Sequence, residues 1–209
     1  MKRMLTALVA ALIAALAGIV GLATSAAAVT APIGNPATDR GASDTWQDFT
    51  LVDTNHPAAF DGYFTSITYY AEVAGRTVRF VVVDGSGEVT WVSDEVTASS
   101  TGSQTVNLGA PVGVTTGSNL GVYSKGYGAV SFDYDTTAQP AYFDLFFSGV
   151  PAVGETIDTV GSDPRVYSMN ASVTASSPAI CKNGGWETYG YPNQGQCIAS
   201  IVANARAGK

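Results

Sequence analysis

Thr65-Ser66-Ile67-Thr68-Tyr69-Tyr70-Ala71-Glu72-Val73, Arg76-Thr77-Val78-Arg79-Phe80-Val81-Val82-Val83-Asp84 and Glu88-Val89-Thr90-Trp91-Val92-Ser93-Asp94-Glu95-Val96-Thr97 are the segments that decide the fold. In the first, Ile67, Tyr69, Ala71 and Val73 alternate with Ser66, Thr68, Tyr70 and Glu72, the period of two expected of a strand with one buried face. In the second, Val78, Phe80 and Val82 alternate with Thr77, Arg79, Val81 and Val83, so both faces are largely apolar, as in a central strand. The links Ala74-Gly75 and Gly85-Ser86-Gly87 supply residues that tolerate positive φ. The stretch predicts three antiparallel strands joined side by side by two tight turns.

The same alternation extends outward in both directions. Thr45–Asp53 reads as a strand with Phe49 and Leu51 inward, ended by the turn residues Asn55, His56 and Pro57. Downstream, 104–108, 114–123, 129–135, 141–147, 155–160 and 165–174 alternate or run apolar, and no segment between 45 and 175 carries a helical stripe. About nine or ten short strands at this spacing predict an all-β, antiparallel two-sheet sandwich. An immunoglobulin-like sandwich lacks its Cys–Trp–Cys spacing here, and a closed barrel would have more even strands, which favours a jelly-roll-like arrangement. The run Gly117-Ser118-Asn119-Leu120-Gly121-Val122-Tyr123 resembles a stretch recurring in secreted bacterial jelly-roll modules, over some thirty residues.

The chain begins Met-Lys-Arg-Met, continues apolar from Leu5 to Leu22 and reaches Ser25-Ala26-Ala27-Ala28. A basic start, an apolar middle and small residues at the end predict a secretory signal peptide over 1–28, in preference to a retained membrane anchor. Pro32, Pro36 and the irregular residues around them predict a flexible spacer over 29–44. The β-sandwich domain is then expected over 45–175 and a C-terminal tail over 176–209. Cys181 and Cys197 are the only cysteines, and an isolated pair in an exported chain normally forms a disulfide. It would close a small appendage, worth on the order of 3 kcal/mol in the chain-entropy model. Asn193 with Gln196 predicts a capped short helix carrying Cys197, Ile198 and Ile201 on one face, with Trp186, Tyr189 and Tyr191 beside it. The bracket C-K-N-G-G-W … N-Q-G-Q-C resembles a tail shared by exported actinobacterial-type proteins of unknown function. It covers about 25 residues, and the resemblance implies export without naming an activity.

The formal charge is −7, and loss of Lys2 and Arg3 with a signal would make the rest more acidic still. Without a basic cluster, nucleic acid and anionic lipid are poor partners. No second apolar run is long enough to span a membrane once the signal is cleaved. His56 is the only histidine and lies in a turn, and no nucleophile elbow is present, which argues against a Ser–His–Asp hydrolase. Zinc lacks ligands. Glu72, Glu88, Glu95, Glu155 and Glu187 form no inward pair, so a carboxylate-based glycoside hydrolase is the least favoured reading.

No cofactor is expected. A structural calcium ion is the one metal the sequence leaves open, with Asp84 and Glu88 at one turn, and Asp133 and Asp135 at a strand end, as candidate ligands. Exposed aromatic rings are the other candidate chemistry, because a flat ring offers large area with a polar edge. Tyr127, in the glycine-flanked loop 124–128, is the first candidate, with Tyr123 and Trp91. The favoured reading is a secreted, non-enzymatic module that binds a glycan or the cell-envelope surface. The alternative is an exported structural protein that assembles with itself through edge strands or its tail.

Overall fold

The computed structural model describes residues 27–134, 144–157 and 162–207. The signal-peptide segment lies largely outside them, as do the candidate ligand Asp135 and parts of the expected strands 141–147 and 155–160. The chain order is β1 (Thr30–Gly34), β2 (Phe49–Asp53), β3 (Gly62–Ala71), β4 (Thr77–Val83), β5 (Val89–Val92), β6 (Val96–Thr97) and β7 (Gly102–Val114). There follow β8 (Asn119–Ser124), β9 (Phe132–Tyr134), β10 (Asp144–Ser148), β11 (Ser162–Asp163), β12 (Arg165–Tyr167) and β13 (Met169–Ala175). A 3-10 turn (Pro178–Cys181) and two helices, α1 (Gly185–Thr188) and α2 (Gln194–Ala207), close the chain.

Two antiparallel sheets form the sandwich. The smaller runs β1-β13-β3-β7, the larger β11-β10-β2-β8-β4-β5 with β6 also on β4, and a short ribbon pairs β12 with β9. Ile33, Phe64, Ile67 and Tyr69 from the small sheet share one buried cluster with Leu51, Val78, Phe80, Leu120 and Val122 from the large one. Each such side chain contributes about 1.5–3 kcal/mol by leaving water. Two-sheet packing is therefore what the alternating rows achieve.

One feature of the deciding stretch differs from expectation. β3 and β4 do not pair: β3 lies between β13 and β7, and β4 pairs with β8, β5 and β6. The Ala74-Gly75 link carries the chain from one sheet to the other, with Gly75 at φ 82°. Tyr69 and Phe80 meet across the sandwich at 5.3 Å between ring centres. The inward rows of both strands are strongly apolar, and stacking them face to face buries each against the other between the two sheets. Gly85-Ser86-Gly87 does make the expected hairpin between β4 and β5.

Residues 29–44 are not a spacer. Thr30–Gly34 pairs along its whole length with β13, and Val29 and Ile33 are core residues. Beyond it Asn35 and Asp44 are buried, and Ala42 bridges Phe132. Pro32 suits the position, because an edge strand needs hydrogen bonds on one side alone.

The tail is closed by the Cys181–Cys197 disulfide. The Asn193 side chain accepts from Gln196 N at 2.9 Å, the expected cap. Cys181, Cys197 and Ile201 belong to the main buried cluster, and Tyr189 packs edge-on against Phe60 at 5.7 Å. The appendage is thus sealed onto the sandwich. No described helix is long and apolar enough to cross a membrane.

Candidate functional site: an aromatic strip backed by two arginines

Residues 43–48 run as an irregular segment into β2, across the end of the sandwich where β9 and β12 pair. Asp44 is buried there and accepts from Arg165 Nη1 at 2.6 Å and from the Tyr167 hydroxyl at 2.7 Å. The Arg165 side chain is itself 7 % exposed. A buried ion pair of this kind holds its shape because removing either partner strands the other's charge.

The guanidinium so fixed lies against three rings: Phe132 at 4.7 Å, Tyr134 at 5.3 Å and Trp46 at 5.7 Å from their centres. Arg165 Nη2 also donates to the Tyr134 hydroxyl at 3.1 Å. Phe132 is buried, but Trp46 is 52 % and Tyr134 56 % exposed. On the other side of the same segment, Arg76 donates to Ser43 Oγ at 3.0 Å and to the Gly128 carbonyl, and its guanidinium lies 5.5 Å from the centre of Tyr127. Tyr127 is 48 % exposed. Gly128 packs so closely on Asp44 that a Cβ there would sit 2.8 Å from the Asp44 Cβ. Trp46, Tyr127 and Tyr134 are the only exposed Phe, Trp or Tyr side chains among the described residues; Trp46 belongs to 43–48, and the arginines that hold the other two bond to Ser43 and Asp44 of that segment. Each has a cation against the ring, an attraction that orients it.

A second polar cluster lies beneath, around Asp53. Asn35 donates through Nδ2 to Asp53 Oδ2 and to the Tyr167 carbonyl at 3.1 Å, while Asn55 N and Tyr167 N donate to the Asp53 carboxylate at 2.9 and 3.1 Å. With both Nδ2 hydrogens engaged, Asn35 Oδ1 accepts from His56 Nδ1 at 2.7 Å. Burial pushes the Asp53 carboxyl up to about 6, although the backbone donors and His56 oppose it.

The other sequence candidates fall elsewhere. Tyr123 faces outward on β8, is 5 % exposed and donates to Asp48 at 2.8 Å; burial, and then Asp48, pushes its hydroxyl up to about 12. Trp91 is half-buried, edge-on to Phe64 at 6.1 Å, and lines a groove of about 410 Å³ between residues 91–96 and 106–112. Tyr127 is tied through Arg76 and Ser43 to the segment that carries Trp46. Asp84 Oδ1 accepts from Ser86 N, Ser86 Oγ and Glu88 N, which closes the β4–β5 turn on itself. Asp133 pairs with Arg40 at 3.1 Å. Among the described residues no three His, Cys, Asp or Glu side chains are grouped to hold a metal ion.

Sequence reading singled out Tyr127 but not Trp46 and Tyr134 as ligand contacts. The visible signal was Tyr134 ending the inward row Val130, Phe132, Tyr134 where β9 runs out.

No family model matches the chain, and no curated protein matches it. Among solved structures, a clostridial cysteine protease, Cwp84, after propeptide cleavage aligns with 71 % of this chain at 11 % identity and a TM-score of 0.45. The cysteine protease and lectin-like domains of Cwp84, a surface layer associated protein of Clostridium difficile, align with 61 % at 12 % identity and a TM-score of 0.35. The chain spans 41 % and 32 % of those two chains, and at these scores neither likeness carries a function to it.

Proposed function

We propose that this protein is an extracellular, non-enzymatic β-sandwich module that binds a glycan of the cell envelope or its surroundings along the strip Tyr127–Trp46–Tyr134. The observation that carries the reading is the convergence of every exposed aromatic ring among the described residues on one short segment, each ring held by an arginine. Rings fixed in this way lose little freedom on binding, and a flat sugar face covers them while their polar edges stay in water. The disulfide suits an oxidising compartment. The buried carboxylates Asp44 and Asp53 are already engaged, the first with Arg165 and the second with amide donors.

Retention of the purified protein on insoluble polysaccharides and on a glycan array tests this. Trp46→Ala and Tyr134→Ala should each weaken retention by tenfold or more, and Tyr127→Ala by less, since its ring stands at the other side of the segment. Retention unchanged in all three variants would remove the strip from the account, and release of reducing sugars that Trp46→Ala abolishes would replace binding by hydrolysis.

A further inference from the structure

Upstream of β1 the chain meets the disulfide-closed tail. Val29 O accepts from Ala175 N at 2.9 Å, so the backbone still runs beside the end of β13 just before β1 begins. Further upstream the Ala27 carbonyl accepts from the Tyr191 hydroxyl and from Ser200 Oγ. Those two hydroxyl oxygens lie 2.8 Å apart. Tyr191 stands inside the Cys181–Cys197 bracket, and Ser200 follows Cys197 by one turn of α2. Cys197, Ser200 and Ile201 are all buried, on the one helix face that this spacing makes. The disulfide therefore fixes the face that carries the serine. A fully buried hydroxyl needs an acceptor, and Ser200 finds one in a residue 173 positions away.

The sequence around this contact is Ala23-Thr24-Ser25-Ala26-Ala27-Ala28-Val29. Leader removal follows small residues close before the bond that is cut. The rule that ends the leader at Ala28 is met as well by the bonds after Ala26 and after Ala27. The fold separates the three. A cut after Ala28 takes the Ala27 carbonyl away from Ser200 and puts the new α-ammonium on Val29, a core residue 2 % exposed, where a charge is costly. A cut after Ala27 removes the same carbonyl. A cut after Ala26 keeps the carbonyl and leaves the ammonium on Ala27, which is exposed.

We infer that the leader is removed at the Ala26–Ala27 bond and that the disulfide-closed tail is the seat of the amino terminus so made. The inference rests on the extracellular reading above, because export is the occasion for the cut. Hydrolysis adds water across this bond: the C–N bond breaks, Ala26 leaves with the leader as a carboxylate, and Ala27 gains an α-ammonium. The carbonyl held by Tyr191 and Ser200 then belongs to the first peptide bond of the mature chain. An aminopeptidase must attack that same carbonyl, so the seat shields the terminus from trimming.

Export of the full chain from a bacterial host, with N-terminal sequencing of the released protein, tests the boundary. The expected start is Ala27-Ala28-Val29-Thr30. A start at Ala28 or Val29 overturns the inference and leaves the extracellular reading standing; a chain that keeps residues 1–26 overturns both. The seat is tested by treating the released protein with an aminopeptidase and following the loss of Ala27 by intact mass. Tyr191→Phe combined with Ser200→Ala removes both hydroxyls and keeps the ring and the helix, and it should speed that loss at least tenfold. Equal rates in the wild type and the double variant overturn the seat.

Discussion

Asp44 and Asp53 are both buried, both come from the N-terminal part of the chain, and both bind Tyr167, the first through its hydroxyl and the second through its backbone N–H. Their partners differ. Asp44 faces a guanidinium whose own charge is offset by it, whereas Asp53 is held by neutral amide donors, with His56 one residue of hydrogen bonding further out. The first arrangement fixes a charge and passes that fixity on to Trp46 and Tyr134 at the surface. The second locks β1, β2 and β12 together and leaves a carboxyl whose ionisation burial disfavours. Similar residues with similar burial thus serve a surface in one place and a seam in the other, according to whether a cation comes with them.

The largest expected effect breaks the Asp44 side. Arg165→Leu strands a buried carboxylate and should cost about 3–5 kcal/mol in chemical denaturation. Adding Asp44→Asn to it should restore a good part of that loss. A loss under about 1 kcal/mol for the single variant would mean that the pair does not hold this end.

Asp53 should reveal itself through pH. Its folded-state value of about 6 stands above the ordinary 3.8, so its contribution to stability is fully present below 3.8 and declines as pH rises through 6. The decline should be on the order of 3 kcal/mol. Asp53→Asn, whatever its cost at a single pH, should remove this slope from the stability profile between pH 4 and 7; a profile that keeps the slope assigns it to another group.

Reduction of Cys181–Cys197 sharpens the comparison as a pH-independent reference. It should lower stability by about 3 kcal/mol at every pH, because it acts on the unfolded chain. The smallest effect on folding belongs to Trp46→Ala, under about 1 kcal/mol for a side chain half in solvent. That variant would leave the Asp53 profile intact while weakening ligand retention, which separates the surface from the seam in one protein.

Several parts of this arrangement were legible in the residues alone. The alternating rows of β3, β4, β8 and β9, the β4–β5 hairpin, the Cys181–Cys197 bridge and the Asn193 cap all follow from local rules of period, turn chemistry and capping. Residues 29–44 were not legible, since β1 is too short and too broken by Pro32 to announce itself; its hydrogen bonds come from β13, some 140 residues away. The aromatic strip was half legible: Tyr127 stood out between glycines, but Trp46 and Tyr134 gain their meaning from Arg165.

The sequence by itself determined that this chain is an all-β sandwich with a disulfide-closed, helical tail, because strand period, turn residues and capping act over a few neighbours. The tertiary structure decided that β3 faces β4 instead of lying beside it, that the N-terminal segment is an edge of the fold, and which rings lie against Arg165. These outcomes depend on contacts between residues a hundred positions apart, and no short-range pattern encodes which apolar row will cover which or which carboxylate will meet the arginine.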